Sequence, residues 1–219
     1  MSLVGTNGAG KTTIIKLILG FYLPTEGDIY INSISIKEID IQSLWKLSGT
    51  IFQQHSIFAL SAYDNIAFGD QNNNISTLME QVGLKDRFDS ESNGIYTELT
   101  RAFDSQGTLL SGGDSQKIAL ARLLYKKANL IILDEPSSSL DANAEDDLFR
   151  IIDSVHSKNR KAIILFVSHR LSSSTIATRI LFLKDGKLEA VGPHEELMQI
   201  CNDYKQMFQK QASRYTNIT

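Results

Sequence analysis

The chain has 219 residues with 42% hydrophobic and 21% charged side chains, which bounds it to one large globular domain or a core with an inserted lobe. Its formal net charge of −3 argues against a domain whose main task is holding nucleic acid. No run approaches the roughly 18–20 apolar residues that span a bilayer, no leader pattern is visible, and a single cysteine, Cys201, excludes an internal disulfide and fits a reducing compartment.

Ser2-Leu3-Val4 reads as the stub of a strand. Directly after it, Gly5-Thr6-Asn7-Gly8-Ala9-Gly10-Lys11-Thr12 follows the pattern G-x-x-x-x-G-K-[ST]. Glycines there let successive backbone N–H groups turn into one concavity suited to an anion. Lys11 can reach terminal phosphates and the Thr12 hydroxyl can sit on a Mg²⁺. A helix from Lys11 through Thr13 to Leu19, closed by Gly20, aims its positive end at the same place. Asp28 to Ile36 alternates around Asn32-Ser33, as a solvated β-hairpin would. Tyr22, Tyr30 and Trp45 read as packing residues.

From about Gly69 to Lys127 the language becomes helical. Leu78, Val82 and Leu84 suit one short helix, and Ile118, Ala121, Arg122 and Tyr125 mark another from Ser115 to about Lys126. Ser111 can cap that helix with Asp114 as its capping-box acid, while Gly112 and Gly113 expose bare N–H groups as a second anion site. The runs Leu130–Leu133 and Ala162–Val167 lack alternation, as strands buried on both faces of a parallel sheet do. They end in Asp134-Glu135 and Ser168-His169, at the strand ends where such sheets bind ligands. Asp134 suits a Mg²⁺ shell, and Glu135 could take a proton from an attacking water. Ile180–Leu183 and Lys187–Val191 flank the hairpin turn Asp185-Gly186. After Pro193, the residues Leu197, Ile200, Cys201, Tyr204, Met207 and Phe208 suggest one closing helix, with a loose tail from Ser213. His55, His156 and His194 carry no motif and read as surface or packing residues.

Taken together these segments resemble the nucleotide-binding domain of an ATP-binding cassette (ABC) transporter, from Gly5 to about Met198. Leu110-Ser111-Gly112-Gly113-Asp114 resembles the family's Leu-Ser-Gly-Gly-Gln signature, Gln53 its Q-loop glutamine, Ser138-Ser139-Leu140-Asp141 its D-loop, and His169 its switch histidine. Phe21 to Gly27, and Gly186-Lys187 through Gly192-Pro193-His194-Glu195-Glu196-Leu197, are similar to exporter-type domains, and Thr97 to Asp104 to bacterial peptide and lipid exporters.

The resemblance implies an α/β fold: a P-loop NTPase (RecA-like) core with a parallel sheet, 1–68 and 128–219, an inserted α-helical signature subdomain, 69–127, and an antiparallel β edge. It implies ATP and Mg²⁺ as ligands, with Thr12, Gln53 and Asp134 in the metal shell and Gly5 to Thr13 with Gln53 around the nucleotide. Glu135, His169 and Lys11 would carry the hydrolysis. Ser111, Gly112, Gly113 and Asp141 would contact ATP held by a second nucleotide-binding domain, identical or different, stacked head to tail. A transmembrane domain outside this chain would complete the exporter at the cytoplasmic face of the membrane, with Ser61 to Asn65 near it, and no nucleic acid as partner. The family also carries strands and an adenine-stacking aromatic upstream of the loop, so the chain reads as N-terminally truncated. The alternative is a truncated cassette that binds nucleotide or a partner with little turnover. Asp114, in place of the signature glutamine, sets a carboxylate near a partner's ATP and is expected to slow closure of the pair.

Overall fold

The computed structural model describes residues 1–54, 56–70, 75–136, 142–168 and 175–216. Two compact units can be distinguished. The first comprises Met1–Ser48, Ile132–Glu135 and Ile163–Thr219, and the second Gly49–Ile131 and Pro136–Ala162. A six-stranded sheet has the order β4-β5-β6-β1-β7-β8, from strands β1 (Ser2–Gly5), β4 (Ser48–Ile51), β5 (Leu130–Asp134), β6 (Ile163–Val167), β7 (Ile180–Lys184) and β8 (Lys187–Gly192).

The expected stub is thus a central strand. All of β1 is buried, and it runs parallel to both β6 and β7, with Gly5 opposite Leu183. Uninterrupted apolar sequence in β5 and in the Leu165–Val167 end of β6 has the same cause, since strands with neighbours on both edges and cover on both faces have no solvated side to alternate toward, while Ile163 at the start of β6 is exposed. β7 and β8 form the antiparallel edge. Asp185 (φ 47°) and Gly186 (φ 75°) both take the left-handed conformation that a tight hairpin turn needs. The earlier hairpin, β2 (Tyr30–Ile31) and β3 (Ile34–Ser35), turns in the same way through Asn32 and Ser33. Its Asp28 carboxylate accepts from the Ser35 hydroxyl at 2.8 Å.

Several aromatic expectations need correction. Tyr22 and Tyr30 are exposed rather than packed, Tyr22 lying under the Lys16 ammonium at 5.5 Å. Trp45, on α2 (Ile41–Leu47), is 42% exposed: its indole N–H donates to the Leu19 carbonyl at 2.8 Å and its ring meets Phe21 edge-on. A surface position that ties a side-chain donor to backbone and leaves one ring face open explains this better than burial.

The closing segment is two helices, not one. α8 (His194–Ile200) stops at Cys201, whose extended backbone (φ −118°, ψ 100°) re-aims the chain before α9 (Asn202–Thr216). The break rotates Ile200 out to 65% exposure while Leu197, Cys201 and Tyr204 join Val4, Ile180 and Phe182 in one core cluster. The helix also continues past Ser213 to Thr216, where a loose tail was expected.

Tyr204 supports a pH prediction. It is fully buried, and its hydroxyl lies 2.8 Å from His194 Nδ1. Burial pushes its pKa from 10.0 up to about 12. The folded state favours the neutral phenol, so this contribution is complete below pH 10 and is lost as pH rises from 10 to 12. In alkaline melting curves the parent should lose on the order of 2 kcal/mol over that window through this residue. Tyr204→Phe should escape the loss yet start about 1 kcal/mol lower at neutral pH, without the hydrogen bond.

In the second unit, α3 (Ala62–Ala67) is capped by Ser61, and α4 (Ile75–Gln81) and α5 (Lys85–Asp89) precede a 3-10 turn at Gly94–Tyr96. α4 ends earlier than its apolar spacing suggested. Gly83 (φ 68°) closes it, with Gly83 N–H to Glu80 C=O and Leu84 N–H to Met79 C=O, so Val82 and Leu84 are buried from the cap rather than from the helix. α6 (Gly112–Lys126) starts before the expected Ser115, because the Ser111 hydroxyl accepts from Asp114 N–H at 3.1 Å and so fixes the first turn. α7 (Ala142–Lys158) completes the unit and carries His156 in its last turn.

Candidate functional site

The site grows from the end of β1. Gly5 must be glycine, since a Cβ there would lie 2.4 Å from the Leu183 carbonyl oxygen. Gly8 (φ 82°) and Gly10 (φ 97°) have open space around them, so their requirement is conformational. Left-handed backbone at those points folds Thr6, Asn7 and Gly8 into an exposed loop ahead of α1 (Lys11–Ile18). No side chain caps α1, and its first turn holds no acid. With glycine at its N-cap, α1 has no capping side chain of its own to compete for the N–H groups of its first turn, an arrangement open to a bound anion.

Lys11 is buried, and its ammonium donates to the Gly5 carbonyl at 2.9 Å and the Thr6 carbonyl at 3.0 Å. Burial lowers its pKa, while Glu135 and Asp134 pull it back up. The Thr12 hydroxyl donates to Asp134 Oδ2 at 3.3 Å, joining the first turn of α1 to the end of β5. Asp134 is only 5% exposed. Burial raises its pKa, the Thr12 bond lowers it, Glu135 raises it, and Lys11 and Lys16 lower it.

Glu135 has left-handed backbone (φ 52°), a costly conformation for a non-glycine residue, and its N–H donates to the Val167 carbonyl at 3.0 Å. That bond fastens the acid to the carboxyl end of β6. The loop from Gly5, with Lys11, Thr12, Thr13, Asp134 and Glu135, therefore belongs to one compact unit.

A hydroxyl and a carboxylate side by side form the donor set a hard cation takes. Among the described residues no three acidic, histidine or cysteine side chains converge on one point. Mg²⁺ is a cation of that kind, commonly held by one or two protein oxygens together with phosphate and water.

The remaining candidates belong to the second unit or fall outside the described residues. Gln53 sits exposed in the bend after β4, and Ser111, Gly112 and Gly113 form the start of α6, all in the second unit. His169, Asp141 with Ser138 to Leu140, and His55 lie outside the described residues. The action of the Lys16 charge on Asp134 and the pairing of buried Asn65 with Arg122 are not foreseen from sequence. An arginine on an otherwise apolar helix face was the available signal for the last.

Residues 1–138 match the family model described as ABC transporter. The subtilin transport ATP-binding protein SpaT of Bacillus subtilis is 39% identical over 99% of the chain, and the nisin transport ATP-binding protein NisT of Lactococcus lactis subsp. lactis 34% identical over 94%. The chain spans 35% of the length of each of these curated relatives. Among solved structures, a bacterial Atm1-family ABC exporter with ATP bound superposes with a TM-score of 0.85 at 30% identity, over 96% of this chain and 36% of that one. Among the described residues no helix is long and apolar enough to cross a membrane.

Proposed function

The chain belongs to the ABC transporter family, as a nucleotide-binding domain of the exporter type, and from that premise we propose that it binds ATP with Mg²⁺ and hydrolyses it to drive export through a membrane-spanning partner. One observation carries the reading: a glycine loop with a buried lysine stands beside two successive acids at a strand end, linked by the Thr12–Asp134 bond.

The loop amides from Gly5 to Thr13 and the Lys11 ammonium bind the phosphates. Thr12 and Asp134 would hold Mg²⁺, with Gln53 completing its shell, and the ion when bound supplies positive charge to the phosphate oxygens. Glu135 accepts the proton of a water as that water's oxygen bonds to the γ-phosphorus. The bond from the γ-phosphorus to its bridging oxygen breaks, and ADP and phosphate leave. His169 contacts the γ-phosphate. Most of the acceleration comes from positioning and charge stabilisation, since phosphoryl transfer asks little covalent chemistry of the protein.

A second nucleotide-binding domain would complete each site with its Ser111-Gly112-Gly113 turn and Asp141, placing the pair at the cytoplasmic face of the membrane. SpaT and NisT are named as subtilin and nisin transport ATP-binding proteins, which supports transport of a substrate as the process served.

Glu135→Gln tests the reading. Phosphate release with MgATP should fall by about 10²–10⁴-fold, the usual range for removing a general base, while MgATP binding persists. Equal release by parent and variant would leave only a nucleotide-binding cassette.

A further inference from the structure

Arg122 lies in the middle of α6, the helix whose first turn carries Ser111, Gly112 and Gly113. Its guanidinium Nε donates to the Asn65 carbonyl at 2.8 Å, Nη1 and Nη2 to the Ser56 carbonyl at 3.2 and 3.3 Å, and Nη2 also to Asn65 Oδ1 at 3.3 Å. The Phe58 and Phe68 rings lie 5.4 and 5.0 Å from the guanidinium carbon and meet each other edge-on. Burial lowers its pKa from the ordinary guanidinium value, and a guanidinium stays charged in proteins regardless.

What Arg122 holds is itself a folded unit. Asn65 is fully buried, and its amide accepts from Phe58 N–H and donates to the Phe58, Leu60 and Ser61 carbonyls. Residues 58–61 are therefore wrapped around one side chain, and Ser56, at the near end of the wrap, follows Gln53 closely in sequence. A lysine could carry the charge but not the planar fork that reaches two carbonyls and an amide oxygen at once.

We propose that Arg122 is a positioning residue that makes one body of the segment following Gln53 and the helix that presents the Ser111-Gly112-Gly113 turn. It touches no nucleotide in this role; it fixes the spacing between two elements that would each contact ATP. The proposal rests on the function given above for those elements. An arginine needed only for folding would lower stability without singling out the turn at the far end of its helix.

The test is Arg122→Lys in the full 219-residue chain, with amide hydrogen exchange as the primary readout. Phe58 and Leu60 report the wrapped segment, Asp114 and Ser115 the first turn of α6, and Ile14 in α1 and Leu19 at its C-cap serve as references. Exchange should rise about tenfold at both reporter pairs together, with the references unchanged, as local opening of one cooperative unit does. At saturating MgATP, kcat should fall about tenfold while the MgATP dissociation constant stays within about twofold, the pattern of an interaction realised in turnover rather than binding. A rise confined to Phe58 and Leu60, or an unchanged kcat, overturns the proposal. Equal phosphate release by parent and Glu135→Gln would sink the hydrolysis reading instead, and the exchange pattern would then decide this inference alone.

Discussion

Gly5→Ala is expected to destabilise the fold by roughly 3 kcal/mol or more, the upper range for overpacking a filled site. The added Cβ would lie 2.4 Å from the Leu183 carbonyl oxygen and 3.2 Å from both the Leu183 carbonyl carbon and Ala9 Cβ. The first two are backbone atoms of β7, paired in register with β1, so no rotamer change relieves the contact. Relief requires β1 and β7 to separate, and β1 is a central strand of the sheet. Against a total stability of about 5–15 kcal/mol this is a large fraction. Urea unfolding should show a midpoint lower by about 1 M or more. Gly8→Ala is the control, because its Cβ would meet nothing within 4 Å. Only the left-handed backbone penalty of about 1–2 kcal/mol applies there. Equal midpoints for the two variants would mean that the Gly5 contact does not constrain the fold.

The contrast between those glycines shows how far sequence could go. A G-x-x-x-x-G-K-[ST] pattern marks all its glycines alike, yet Gly5 is required by a strand contributed from residues 180–184, which no local pattern announces. The loop, α1, the acid pair and both hairpins were legible because each is set by local chemistry: glycine φ, continuous apolar runs, or turn residues. The Ser111 cap was legible for the same reason, although the helix it begins was placed three residues late. Misreadings came where tertiary context overrode composition. Trp45 was assigned inward on hydrophobicity alone, but the Leu19 carbonyl draws its indole N–H to the surface. Ile200 fitted a helical stripe that Cys201 interrupts, because two shorter helices bury Leu197 and Tyr204 on the same cluster. Glu135 was expected as an acid, whereas its left-handed backbone and bond to Val167 arise only from the meeting of β5 with β6.

Lys11→Met should separate activity from stability. Methionine keeps most of the unbranched stem and removes the ammonium, so burial along the stem is largely retained. Phosphate release should fall by about 10²–10³-fold, as for other single preorganised groups that stabilise a developing oxyanion. The apo fold should lose little. Removing the ammonium leaves the Gly5 and Thr6 carbonyls without this donor, a cost of about 1–3 kcal/mol for the buried Gly5 acceptor and less for Thr6, which is open to water. It also removes a cation whose burial the fold resists, as its lowered pKa indicates. The sign follows from linkage: with the folded pKa below the unfolded value, the unfolded chain binds more protons between them, so the charged lysine costs stability at neutral pH. The two effects oppose, and thermal melting at pH 7 should differ from the parent by no more than a few degrees. A large fall in melting temperature alongside lost activity would assign Lys11 a structural role. Unchanged phosphate release would remove it from the reaction. Between those outcomes lies the expected one, in which the loop spends its own carbonyls holding a buried charge ready, and that charge is worth most once a phosphate replaces them.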